Sequence, residues 1–175
     1  ENNYLGKLGN AYFALGEVQK AVIFYEQALS ISRKIGDRRN EGDHLGNIGI
    51  IYHSLGEFQK AISYHEQALT VSREIQNEQG ESADLGNLGN VYRSMGKFQE
   101  AVNYFEQALT ISRKILDRRN EGTWLANLGL SYLSLGKIPK AISYLEQSLT
   151  IAREVGDKRN EGTNLGNLGL AYRDL

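Results

Sequence analysis

A tract of eight residues recurs along the chain at a fixed spacing of 40. LGKLGNAY (5–12) returns as LGNIGIIY (45–52), LGNLGNVY (85–92), LANLGLSY (125–132) and LGNLGLAY (165–172). A second tract follows each of the first four: AVIFYEQALSISRKI (21–35), AISYHEQALTVSREI (61–75), AVNYFEQALTISRKI (101–115) and AISYLEQSLTIAREV (141–155). Self-similarity at a period of about 20–50 residues marks stacked supersecondary units, each burying its apolar face only against its neighbours. The 175 residues hold units at 1–40, 41–80, 81–120 and 121–160, and half a unit at 161–175. A single array over 1–175 is expected. Its start at Glu1-Asn2-Asn3-Tyr4 and its end at Asp174-Leu175 are expected to be boundaries inside a longer protein.

Each unit reads as two helices. In the first tract of unit two, Leu45, Ile48, Tyr52 and Leu55 step by 3, 4 and 3 residues, which traces one helical stripe. In the second tract Phe58, Ala61, Ile62, Tyr64, Ala68, Leu69, Val71 and Ile75 form a broader stripe, as in a helix covered on more than one side. Gly16, Gly56, Gly96 and Gly136 separate the two helices and suit a left-handed helix stop. Gly36-Asp37 and Gly156-Asp157 read as a glycine stop followed by an Asp N-cap. Pro139 falls in a first helical turn, where proline is tolerated. No strand pattern competes. A glycine inside a helix costs about 1 kcal/mol relative to alanine. The first helices carry such glycines repeatedly, so packing must offset them. Gly9, Gly49, Gly89, Gly129 and Gly169 lie on the apolar stripe and predict close approach of a neighbouring helix.

Composition excludes several function classes. Lys+Arg 20 against Asp+Glu 21 leaves a net charge of −1, without the basic excess of a dedicated nucleic-acid binder. With no cysteine there is no disulfide framework, thiol catalysis or cysteine metal site. No apolar run approaches the ~20 residues of a membrane span. His44, His53 and His65 are the only histidines and are expected on different faces, so no metal site is expected; His65 occupies the slot of Tyr25, Phe105 and Leu145 and reads as packing. The GNLG strings lie inside helices, where backbone N–H groups are already bonded, so they do not cradle phosphate. No nucleophile–base constellation appears. No catalysis and no cofactor are expected, and the expected location is cytoplasmic.

The pattern resembles the tetratricopeptide repeat over the whole chain. In unit three the family's small-and-large signature maps onto Leu88, Gly89 and Tyr92 of the first helix, then Gly96, Ala101, Phe105 and Ala108 of the turn and second helix. Two positions depart from it. The family's usual early Trp is Leu5, Leu45, Leu85, Leu125 and Leu165, and its usual closing Pro is replaced by Arg33, Arg73, Arg113 and Arg153. The 40-residue unit and the LGNLG string are similar to the Pins/LGN and kinesin light chain types of repeat. The resemblance implies an all-α fold, a right-handed α-α superhelix of about four and a half helix-turn-helix repeats, whose first helices line a concave peptide-binding groove.

On that groove face the units align a column of Asn47, Asn87, Asn127 and Asn167, headed by Lys7. Asparagine is a poor interior helix residue, yet its amide offers donors and an acceptor matched to a peptide unit. First helices about 10 Å apart would meet an extended chain, rising about 3.3 Å per residue, at every third residue. The alternative is that these amides bond each other or water. A second column runs Phe13, His53, Arg93, Leu133 and Arg173, and a third Asn10, Ile50, Asn90, Leu130 and Leu170. Their variation suits side-chain selectivity or drift on a solvated surface. Arg93 and Arg173 favour an acidic ligand, Leu130 and Leu133 an apolar one. The recurrent Arg38-Arg39, Arg118-Arg119 and Lys158-Arg159 read as a solvated edge neutralised by nearby carboxylates. Trp124 reads as packing or rim. The expected function is a non-catalytic protein-interaction scaffold holding an extended, mixed acidic-apolar segment of a partner protein, with neither nucleic acid nor membrane as partner. The alternatives are an end-to-end self-associating spacer and a sensor segment of a larger signalling protein.

Overall fold

A computed structural model describes residues 2–173, with side chains from Tyr4. Among the described residues there are nine α-helices and no strand. They are α1 (Asn2–Ala14), α2 (Val18–Ile35), α3 (Arg38–Ser54), α4 (Phe58–Glu74), α5 (Glu78–Ser94), α6 (Phe98–Lys114), α7 (Arg118–Ser134), α8 (Ile138–Glu154) and α9 (Lys158–Arg173). Odd-numbered helices are the first of each pair and even-numbered helices the second. The chain resolves into two compact units whose boundary falls inside α5, between Asn87 and Leu88.

The helix stops follow from backbone chemistry. Gly16, Gly56, Gly96 and Gly136 sit at φ 77°, 74°, 74° and 68°, the left-handed region glycine enters at low cost. Gly36 does the same at φ 72°, and the next residue, Asp37, caps α3 by accepting from the Asn40 amide at 3.1 Å. The equivalent stops before α5 and α7 are not glycine. Gln76 and Leu116 take φ 56° and 58° there, held by the same turn.

In the first unit, α1 packs on α2, α2 on α3 and α3 on α4. Its core gathers Tyr25, Leu29, Leu45, Ile48, Ile51 and Val71. In the second, α6 packs on α7, α7 on α8 and α8 on α9. The expected close approach is present at four of the five stripe glycines and absent at Gly169, where no second helix follows among the described residues. A Cβ on Gly9 would lie 2.8 Å from the Tyr25 ring, on Gly49 2.7 Å from His65, on Gly89 2.7 Å from Phe105 and on Gly129 2.6 Å from Leu145. The fifth, Gly169, has nothing within 4 Å. His65 is buried as a ring in the slot of Tyr25 and Phe105, and burial lowers its pKa to about 4. Trp124 is a packing residue, buried and stacked on Phe105.

The arginines in place of the family's closing proline have a structural task. Arg33 Nε donates to Glu41 at 2.9 Å, Arg73 to Glu81 at 2.7 Å, Arg113 to Glu121 at 2.9 Å and Arg153 to Glu161 at 2.9 Å. Each bond clasps the end of a second helix to the start of the next first helix, eight residues on. Arg38 and Arg118 add bonds to Glu41 and Glu121 and reach Glu74 and Glu154. The first residue of each basic pair, Arg38, Arg118 and Lys158, is therefore ion-paired within the chain.

Candidate functional site

Within the first unit, the facing sides of α3 and α5 enclose an open cavity of about 150 Å³. Asn47 and Asn87 both line it, each half-buried, so two members of the asparagine column share one hollow. Asp43, Gly46, Ile50 and Asp84 line it too. Asp84 is only 7% exposed. The Ser72 hydroxyl of α4 donates to Asp84 Oδ2 at 2.8 Å. Burial pushes the Asp84 carboxyl up to about 7, with the Asp43 and Glu81 charges adding to the rise and the Ser72 bond opposing it. The cavity has two carboxylates in its lining and no basic residue.

Sequence reasoning did not single out Asp84. Its position, occupied by His44, Asp84, Trp124 and Asn164, was nevertheless visible as a variable column between repeated neighbours. All four side chains are buried. Two approach the first glycine of the preceding unit's tract: a Cβ on Gly6 would lie 2.9 Å from His44, and one on Gly46 3.7 Å from Asp84 Oδ1. These glycines thus receive a side chain of the neighbouring helix.

The remaining expected site residues have varied surroundings. Lys7 is exposed. Asn10 is exposed but its Oδ1 accepts from the Tyr25 hydroxyl at 2.5 Å, so its amide serves the α1–α2 packing. His53 is half-buried with its ring tilted over Phe58 at 6.0 Å. In the second unit Asn90, Asn127, Leu130 and Asn167 are half-buried and Arg173 is exposed. Leu133 packs at the margin of the Leu145–Leu149–Leu168 cluster. Arg93 is half-buried, burial lowers its pKa, and its buried Nε–H has no hydrogen-bond partner among the described residues. No grouping of three or more His, Asp or Glu able to hold a metal occurs among the described residues, and no described helix is long and apolar enough to cross a membrane.

The tetratricopeptide repeat profile matches residues 1–74, 44–114, 78–154 and 121–175. The chain belongs to the tetratricopeptide repeat family. Solved structures share its fold. BtubC (BKLC) from P. vanneervenii superposes with a TM-score of 0.87 at 22% identity, over 97% of this chain and 71% of that one. The nearly identical TPR-like repeats of a kinesin light chain from Podosopora anserina give 0.79 at 23% identity, over 98% and 85%. Aspartyl phosphate phosphatase F from Bacillus subtilis gives 0.93 at 17% identity, over 97% of this chain but 45% of that protein. At these identities the likeness is one of fold alone. No curated protein is significantly similar in sequence. Tetratricopeptide repeats are protein-interaction scaffolds, and this chain carries them along its length.

Proposed function

We propose that the chain binds an extended segment of a partner protein along the face of its first helices, with the asparagine column contacting the segment's backbone. The observation that carries this is the shared cavity of Asn47 and Asn87, which presents two half-buried amides to one hollow. A half-buried amide holds its rotamer better than a solvated one and can donate to a carbonyl while accepting from an N–H. Side-chain choice falls to the varied columns. Arg93, with a buried Nε–H that no described residue accepts, suits an acidic side chain. Leu130 suits an apolar one.

Randomised peptides displayed on phage test the proposal against the full chain and its Asn47→Ala/Asn87→Ala variant. Enrichment on the former and its loss on the latter, with an unchanged helical spectrum, is the expected result. Equal enrichment on both removes the asparagines from recognition. No enrichment on either, with solution mass rising with concentration, replaces groove binding by end-to-end self-association.

A further inference from the structure

The cavity between α3 and α5 has a chemistry of its own. Its base is the Asp84 carboxylate, 7% exposed. One oxygen, Oδ2, is occupied by the Ser72 hydroxyl. The other, Oδ1, lies on the Gly46 side, and no described residue donates a hydrogen bond to it. Gly46 lines the cavity without a side chain, so the approach to that oxygen is not blocked by a Cβ. Asp43 adds a second carboxylate at the exposed wall, and the carbonyl oxygens of the Asn47 and Asn87 amides are further acceptors. Ile50 supplies an apolar wall. The nearby positive charge is already committed: Arg73 bonds Glu81 at 2.7 Å.

A buried carboxylate with an open oxygen, in a cavity whose lining holds no cation, is an incomplete ion pair. We infer that this cavity is a subsite for a cationic side chain, a lysine ammonium or arginine guanidinium, with Asp84 as its buried counter-ion, Asp43 at its mouth and the Asn47 and Asn87 amides as hydrogen-bond acceptors. The aliphatic stem of such a side chain packs on Ile50 while its head reaches the carboxylate. The occupant is a residue of the partner segment, so the identity of the ligand rests on the groove reading above; the cation preference is a property of the cavity itself. It also amends the acidic-apolar ligand expected from Arg93, Leu130 and Leu133: the first unit asks for a basic residue.

The rise of the Asp84 carboxyl to about 7 has the same origin, burial of a carboxylate that the Ser72 hydrogen bond offsets only in part. The groups facing it are Asp43 of α3, Glu81 of its own helix and Ser72 of α4. Binding a cation requires the ionised form. A group titrating near 7 is about ten times less ionised at pH 6 than at pH 8, so affinity for a cation is expected to fall about tenfold between those values.

The test is a titration of the full chain with Nα-acetyl-lysine methylamide at pH 8, followed by the backbone amide resonances of Gly46 and Asn87. Its norleucine analogue is the control. Saturable shifts with the lysine compound, at least tenfold weaker with norleucine, with Asp84→Asn and at pH 6, are expected. Equal shifts from lysine and norleucine on the wild-type chain overturn the subsite, whatever Asp84→Asn does to folding. So does lysine binding that is indifferent to pH. Phage selection separates the two readings: peptides enriched without a basic position keep the groove and reject the subsite. A lysine-specific titration with no peptide enriched keeps the subsite and rejects the groove.

Discussion

The Ser72 hydroxyl donates to the Asp84 carboxylate at 2.8 Å, whereas Asn164, which stands in the second unit where Asp84 stands in the first, donates its amide at 2.8 Å to a serine of another slot, Ser148, whose own hydroxyl donates to the Gly122 carbonyl at 2.7 Å; Ala152 takes the place of Ser72 there. One column of the repeat thus meets serines of two different slots with opposite hydrogen-bond polarities. Asn164 is a neutral donor to Ser148. Asp84 is an acceptor for Ser72 that carries charge when ionised, so only the first unit buries an ionisable group at this place.

That difference has a measurable consequence with His65. Asp84 is raised to about 7 in the folded state, against about 3.9 when unfolded. Between those values the folded state holds the extra proton. The stability from Asp84 is full below pH 4 and is lost as pH rises to 7. His65 is depressed to about 4, against about 6.5 unfolded. There the unfolded state holds the extra proton, and stability is lost as pH falls from 6.5 to 4. Each slope is about 1.4 kcal/mol per pH unit, with opposite signs. The two therefore nearly cancel between pH 4 and 6.5. Urea unfolding of Asp84→Asn should unmask the His65 slope, and the stability of this variant relative to wild type should grow by about 4 kcal/mol from pH 4 to pH 8. Parallel pH profiles for wild type and variant would refute the buried charge.

The arginine clasp predicts coupling. Arg113 is half-exposed, but its partner Glu121 has a side chain only 9% exposed. Exposed ion pairs contribute about 0.2–1 kcal/mol; burial of one partner puts this one near the top of that range. A double-mutant cycle with Arg113→Ala and Glu121→Gln should give a coupling of about 1 kcal/mol. A coupling indistinguishable from zero would mean that the edge is merely solvated.

Much of this fold was legible because its signals are local. The 40-residue period, the apolar stripes, the glycine stops and the Asp37 cap are each written within a dozen residues. The packing at Gly49 and Gly89 was legible as well, since a glycine on an apolar stripe implies a neighbour. The left-handed residues Gln76 and Leu116 were not. Their conformation is imposed by a turn that elsewhere contains glycine, and their own side chains disfavour it. The Asp84 cavity was hidden for another reason. It arises from the facing of α3, α4 and α5, and residues 12 to 41 apart in sequence meet there. The asparagine column pointed to the face that carries this cavity but not to the acid beside it.

Leu116 offers a direct test of an imposed conformation. It sits at φ 58° and is 80% exposed, so it makes little packing contact. A left-handed non-glycine residue costs about 1–2 kcal/mol, while glycine adds unfolded-chain entropy worth about 0.4–1 kcal/mol. Leu116→Gly should therefore stabilise the chain by up to about 1 kcal/mol in urea unfolding. The reverse change at the equivalent stop, Gly156→Leu, should destabilise it by a similar amount. A loss of stability in Leu116→Gly would show that the leucine side chain contributes more than its exposure indicates.

Gly89 and Gly169 occupy the same place in the repeat and should respond to one substitution with opposite signs. A Cβ on Gly89 would lie 2.7 Å from Phe105 Cε1, closer than packed carbon atoms allow. Phe105 is fully buried and cannot swing into solvent. Gly89→Ala should therefore overpack the site and cost about 1–3 kcal/mol, more than offsetting the gain from a better helix former. Around Gly169 nothing lies within 4 Å. There only helix propensity remains, and Gly169→Ala should stabilise by up to about 1 kcal/mol, less where α9 frays. Urea unfolding of the two variants beside the wild type measures both. If Gly89→Ala also stabilises, glycine at this position reflects something other than the approach of the second helix, and the packing account of the repeat fails.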